Sequence, residues 1–264
     1  MRFNTSLIFQ FVFLLLFPLY SYSDVSVSEV DGKGRIVISG TITPSDYDAL
    51  VEKISTLKRE NRLTSFVFLN SLGGSLETAI KMGRYIRKER EFVVMHEGDI
   101  CASACVFILA GAISKDVWDG KIFIHRPYWN SDEEDNAIKQ KAKYKKIEKI
   151  AKTYLEEMNI PTSLYDDMFS ISSNASRLLS EDDLRKYRLI GLDPYEEEAV
   201  AARMAKELGI TKTELHIRQN RLDVICGVQY AKMNQAFSDG SDENTQRAAE
   251  KDYQECSYEV MQSK

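Results

Sequence analysis

The chain has 264 residues, 35 Lys and Arg against 40 Asp and Glu, and a formal charge of −5. Both signs are mixed along its length, so there is no basic stripe for nucleic acid. Beyond the first twenty residues no apolar run approaches a membrane span. The length suits one sizeable folded domain with an appendage.

Met1-Arg2 is a short positive start, and Leu7 to Tyr20 is almost continuously apolar. Ser21 and Ser23 then place small residues just before Asp24. This predicts a secretory signal peptide over residues 1–23, since the run is too short for a span and no stop-transfer charges follow. No cysteine lies near the cleavage point, so a lipoprotein anchor is not expected. The mature protein is expected in the periplasm or medium, with no membrane attachment.

Gly34 to Thr43 alternates β-branched residues and predicts a strand. Thr43-Pro-Ser-Asp46 signals a helix start, followed by Tyr47, Leu50, Ile54 and Leu57 at helical spacing. Ser65–Leu69 and Phe92–Met95 suit buried strands, and Leu76–Arg87 a helix packed through Ala79, Ile80, Met82, Gly83 and Ile86. A short apolar helix over Cys101–Gly111 and a strand ending at His125 complete the alternation. An α/β domain with mainly parallel pairing is expected over residues 24–194. Within it, Asp132–Met158 is charged but carries Ile147, Ile150, Ala151, Tyr154 and Leu155 at the spacing of a long amphipathic helix. Such a helix serves either as a solvated arm with one packed face or as a contact between subunits. Ser180-Glu-Asp-Asp183 predicts a capped short helix. Residues 195–264 read as a polar helical extension ending in a hairpin, its turn at Ser238–Asn244.

Cysteines in an exported chain are free to pair. Cys226 and Cys256 lie symmetrically about the hairpin turn, which predicts a disulfide between antiparallel helices. For Cys101 and Cys105 two readings stand. Four-residue spacing within a helix leaves their Cβ atoms about 6 Å apart, too far to bridge. They close only if Cys101 precedes the helix; otherwise both are small buried packing residues.

Three motifs carry the chemistry. Asn70-Ser-Leu-Gly73-Gly74 turns a strand into a helix, Gly98-Asp-Ile-Cys-Ala-Ser103-Ala104 sets a serine at a helix mouth, and Ile122-Phe-Ile-His125-Arg-Pro127 ends a strand in histidine. Taken alone, Ser103 reads as an N-cap and His125 as a structural histidine. Taken together they supply a nucleophile, a base and backbone N–H groups freed by glycine, which are the parts of acyl transfer. His96 and His216 lack comparable surroundings, and no cysteine or histidine spacing suits zinc, so neither metal nor cofactor is expected.

In order and spacing these motifs resemble the proteolytic subunit of Clp protease, with its Asn-Ser-Pro-Gly-Gly turn, Gly-Gln-Ala-Ala-Ser-Met nucleophile helix and Ile-His-Gln-Pro base motif. The resemblance runs from the Arg35–Thr41 strand to Asp193. It implies the ClpP/crotonase-like fold, a core of stacked β-β-α turns with a long handle helix after His125, closest to exported, periplasmic members. Carried across, Ser103 is the nucleophile, His125 the general base, and the backbone N–H groups of Gly73, Gly74 and Ala104 the oxyanion hole. The third member does not transfer. Where the family keeps an aspartate, counting back from Leu178-Leu179-Ser180 reaches Ser172, with Asn174 close by and no carboxylate. Ser172 and Asn174 remain as neutral candidates to orient the imidazole.

The resemblance therefore implies an exported, ATP-independent serine hydrolase acting on peptides or proteins, able to form a homo-oligomer through the 132–158 helix. The alternative is a catalytically degenerate binding or assembly protein on the same fold. An acyl-CoA enzyme is disfavoured, because export separates it from its cofactor.

Overall fold

The computed structural model describes residues 24–30, 33–127, 137–172 and 175–263. The chain divides into two compact units, Met1–Ile190 and Gly191–Lys264. The expected signal peptide lies outside the described residues.

In the first unit β1 (Asp24–Val30) runs antiparallel to β2 (Lys33–Ile42), which lies parallel to β3 (Leu63–Gly74). Alternation in β2 sends Ile36 and Ile38 fully into the core and leaves Arg35 and Val37 half-buried. From β3 the sheet continues along two branches. Phe66–Phe68 pair with β4 (Phe92–Met95), which pairs with β6 (Ser114–Val117). Ser71 pairs with Cys101 of β5 (Ile100–Ala102), and β5 pairs with β7 (Lys121–Ile124). β8 (Arg177–Leu178) adds to β7 antiparallel, whereas the β3–β4, β4–β6, β3–β5 and β5–β7 pairs are parallel.

Helices cover this sheet. α1 (Asp46–Arg59) buries Leu50, Ile54 and Leu57, and the Asp46 carboxylate accepts from the Thr43 N–H at 2.5 Å and the Thr43 hydroxyl at 3.0 Å. α2 (Leu76–Glu89) is capped by Ser75, whose hydroxyl accepts from the Thr78 N–H at 3.3 Å. α3 (Cys105–Gly111) is buried along its whole length. α2 and α3 cross with backbones in contact: a Cβ on Gly111 would fall 2.3 Å from the Gly83 carbonyl oxygen. Tyr154 of α4 (Ala137–Glu157) seals that crossing, donating from its hydroxyl to the Phe107 carbonyl at 2.6 Å. Burial pushes the Tyr154 phenol far above its ordinary pKa, so the hydroxyl stays a donor. Arg84 pairs with Glu157 at 2.7 Å and Arg87 donates to the Met158 carbonyl at 3.0 Å, fixing the C-terminal end of α4 against α2. α5 (Ser163–Ser170) and α6 (Glu181–Lys186) follow, the latter opened by the Ser180–Asp183 capping box.

Two sequence expectations change. The segment read as a helix from Cys101 begins as strand, and helix starts only at Cys105. A run of small and apolar residues fits either state until pairing with β3 and β7 decides it. Because Cys101 therefore precedes the helix, it bridges Cys105, with Cα atoms 5.3 Å apart. The packing-residue alternative for these two cysteines is overturned. The long charged helix is described from Ala137; residues 132–136 lie outside the described residues.

The second unit consists of α7 (Pro194–Leu208), α8 (Lys212–Ile225), α9 (Gly227–Ser238) and α10 (Glu243–Gln262). Its small core gathers Ala201, Ala205 and Leu215. α9 and α10 form the expected hairpin, and Cys226, at the α8–α9 junction, bridges Cys256 with Cα atoms 5.9 Å apart. Closing a loop of 30 residues in so lightly packed a unit stabilises it by about 3–4 kcal/mol.

Candidate active site

Three strands bring the motifs to one edge. Ser71 of β3 faces Cys101 of β5, and Ala102 of β5 faces Phe123 of β7. Neighbouring strands lie about 4.8 Å apart. Gly73 comes two residues after Ser71, Ser103 one after Ala102, and His125 two after Phe123. The motifs thus meet at the C-terminal ends of adjacent parallel strands, where α/β sheets bind ligands.

Ser103 sits in the turn between β5 and α3 with φ of +56°, a left-handed conformation uncommon outside glycine. The turn is held on both sides. Its N–H donates to the Phe123 carbonyl at 3.1 Å, and its carbonyl accepts from the Val106 N–H at 3.1 Å. A tight strand-to-helix turn of this kind projects the side chain outward. Ser103 is not an N-cap; Ala104 occupies that position. The Cys101–Cys105 bridge spans the turn with Ser103 at its midpoint. Gly73, at φ of +94°, packs beneath: a Cβ there would lie 2.6 Å from the Ala102 carbonyl oxygen and 3.0 Å from the Ala104 nitrogen. Only glycine permits this approach.

A cavity of about 440 Å³ opens at this edge and is lined by Ser103, His125, Gly74 and Ala104 together. Leu76, Phe107, Ile147 and Met168 give it an apolar wall. His125 Nδ1 lies 2.9 Å from the Arg126 carbonyl oxygen. A carbonyl can only accept, so Nδ1 carries the proton of the neutral ring and Nε2 keeps the lone pair. Arg126 in turn donates from Nε to the Phe169 carbonyl at 2.7 Å and stacks 4.6 Å above the Phe169 ring, holding this stretch of backbone on α5.

The other expected residues are distributed as follows. The Gly73 N–H donates to Ser71 Oγ at 3.1 Å, and Ser71 Oγ donates to the Gly40 carbonyl at 2.5 Å. Gly73 therefore shapes the turn with its own N–H already engaged, whereas Gly74 and Ala104 face the cavity. Ser172 is exposed, and Asn174 lies outside the described residues. The two nearest carboxylates in sequence are occupied elsewhere. Asp166 pairs with Lys152 at 2.6 Å. Asp167 accepts from the Tyr187 hydroxyl and lies near Lys186 and Arg177, and that hydroxyl above all holds its pKa below the usual range. The Arg126 carbonyl escaped sequence reasoning because a main-chain oxygen leaves no residue-type signal.

Among the described residues no group of three or more His, Cys, Asp or Glu could hold a metal ion, and no helix is long and apolar enough to cross a membrane. No curated protein matches the sequence. Among solved structures, similarity extends to a mutant of the 1510-N membrane-bound stomatin-specific protease, at 19% identity over 58% of this chain and 75% of that one, TM-score 0.44. It also extends to ClpP1 from Listeria monocytogenes, at 16% identity over 59% of this chain and 88% of that one, TM-score 0.45. The sequence profile of the Clp protease family matches residues 21–191, the segment that contains every strand and turn of this site, and on that match the chain belongs to the Clp protease family.

Proposed function

We propose that the protein is an exported, ATP-independent serine peptidase in which Ser103 attacks the scissile carbonyl and His125 is the general base. The carrying observation is the left-handed turn at Ser103, opening into the cavity that His125 lines. Family membership supports a serine-peptidase-like activity. As Ser103 Oγ bonds to the carbonyl carbon, its proton passes to His125 Nε2 and the carbonyl oxygen takes the negative charge. The N–H groups of Ala104, the N-cap of α3, and of Gly74, which both line the cavity, are suited to stabilise that oxyanion. The imidazolium then protonates the leaving amine, and the C–N bond breaks to give an acyl-enzyme. Water, deprotonated by the same imidazole, hydrolyses the ester and restores the serine.

The Arg126 carbonyl, 2.9 Å from Nδ1, supports His125 as an orienting partner beside the candidates Ser172 and Asn174, by fixing the tautomer that leaves Nε2 basic. A neutral partner stabilises the imidazolium less than a carboxylate, so turnover is expected to be slow. Export is supported by the signal-like residues 1–23 and by two disulfides. On this reading residues 24–194 form the catalytic domain, residues 195–264 an extension, and the helix of residues 132–158 an arm for homo-oligomers. A fluorophosphonate should label the wild type, with labelling abolished in Ser103→Ala and nearly so in His125→Ala. A folded, processed protein that does not label favours the binding or assembly role.

A further inference from the structure

Leu76 and Ile147 line two spaces at once: the cavity of Ser103 and His125, and a groove of about 820 Å³ between α2 and α4. The groove therefore adjoins the candidate active site, with Leu76 and Ile147 as shared walls. Ile80 and Ile150 extend its apolar floor, and Ile150 is 40% exposed. Its rim is cationic. Lys81 and Arg84 stand on α2, facing Lys143, Lys146 and Lys149 on α4, with Glu77 the one acidic lining residue. Lys81 pairs with Glu77 at 3.0 Å and Arg84 with Glu157 at 2.7 Å, so the positive excess of the groove is carried by Lys146 and Lys149 on the α4 wall. Between Ala137 and Ile147 that helix carries five lysines and no acid, within a chain whose overall charge is −5.

We infer that the α2–α4 groove is a substrate subsite that selects extended peptides combining apolar side chains with Asp or Glu; this rests on the peptidase reading above. The apolar floor removes aliphatic side chains from water, and the lysine wall attracts carboxylates at the groove edge. From Lys143 to Thr153 the α4 wall runs roughly 15 Å at 1.5 Å per residue. That holds about four or five extended residues. Aliphatic residues, rather than aromatic platforms on which bases stack, form the floor, which favours peptide over nucleic acid. A second copy of the same groove would bring lysine wall against lysine wall, so the homo-oligomer contact proposed for the 132–158 helix is assigned to its faces outside the groove.

The test separates this site from the chemistry. Anisotropy of labelled peptides on Ser103→Ala protein reads the groove without turnover, and fluorophosphonate labelling of the wild type reads the serine without the groove. Peptides sharing one apolar core and flanked by Asp/Glu, Asn/Gln or Lys/Arg should bind in that order. The acidic peptide should bind about tenfold tighter than the neutral one at low salt, and this preference should fade towards about 1 M salt. In the same Ser103→Ala protein, K146E/K149E should reverse the preference, whereas K232E/K251E, the same charge change in the second unit, should leave it intact. Equal binding of all three peptides overturns the subsite even if the wild type labels. So does tighter binding of a single-stranded oligonucleotide, or a change of oligomeric state in K146E/K149E, which would make the groove an interface between copies. Loss of labelling alone with the peptide order retained overturns the peptidase reading and leaves an acidic-peptide-binding groove.

Discussion

Gly73 lies so close beneath Ser103 that a Cβ in place of its hydrogen would sit 2.8 Å from the serine Cβ. The serine turn and the glycine turn are therefore one packed unit. Gly73→Ala must strain a residue at φ +94° and push a methyl group into the Ala102 carbonyl. We expect a loss of about 1–3 kcal/mol in stability and a drop of at least about tenfold in fluorophosphonate labelling. Urea unfolding and labelling rates on the same sample check both. Unchanged labelling would separate the two turns functionally.

The Cys101–Cys105 bridge encloses the serine turn, so the turn is expected to respond to thiols. In a C226A/C256A background, which isolates this bridge, reduction should slow Ser103 labelling several-fold as the left-handed turn gains freedom. C101A/C105A should be slow with or without reductant. Labelling followed across a series of thiol concentrations checks this, and a rate indifferent to reduction in both proteins counts against it.

Glu91 is 1% exposed, and its Oε2 has no hydrogen-bond partner among the described residues; Lys58 lies 3.6 Å from its other oxygen. Burial pushes its pKa up from 4.5 to about 7. The folded state thus holds this proton more tightly than the unfolded chain. The stabilising contribution is complete below about pH 4.5 and is lost as pH rises through about 7. Its upper bound is about 3 kcal/mol. In Glu91→Gln this component should vanish, so the unfolding free energy of the variant minus that of the wild type should rise between about pH 5 and pH 8. A difference flat with pH would show that Glu91 ionises normally.

Much of the architecture was legible because periodicity and burial agree. β2 alternates and is half-covered, β4 is a short apolar run and is buried, and α1 carries its core side chains at helical spacing. The start of α3 was misread for a physical reason. Cys101-Ala-Ser-Ala-Cys105 contains only small residues, without a period, and pairing with β3 and β7 makes its first residues strand. The bridge between those cysteines followed from that shift. β1, β6 and β8 were not anticipated, since their place depends on partners far along the chain. At the site, Ser103, His125 and the glycine pair stand out in the sequence because their three motifs follow the order and spacing of the family they resemble. The left-handed turn does not, nor does the imidazole's contact with a main-chain oxygen, because neither depends on which side chain is present.

The Cys226–Cys256 bridge has a further consequence for the fate of the C-terminal unit. It encloses α9, the exposed residues Asp239–Gly240 and most of α10. A neighbouring protease that nicks this loop tip adds one water and releases nothing, since both pieces stay covalently joined. On a gel the nicked chain would migrate as one species until a thiol parts it into two. Trimming from the C-terminus is limited in the same way: an exopeptidase can remove residues beyond Cys256, but the bridge anchors what remains.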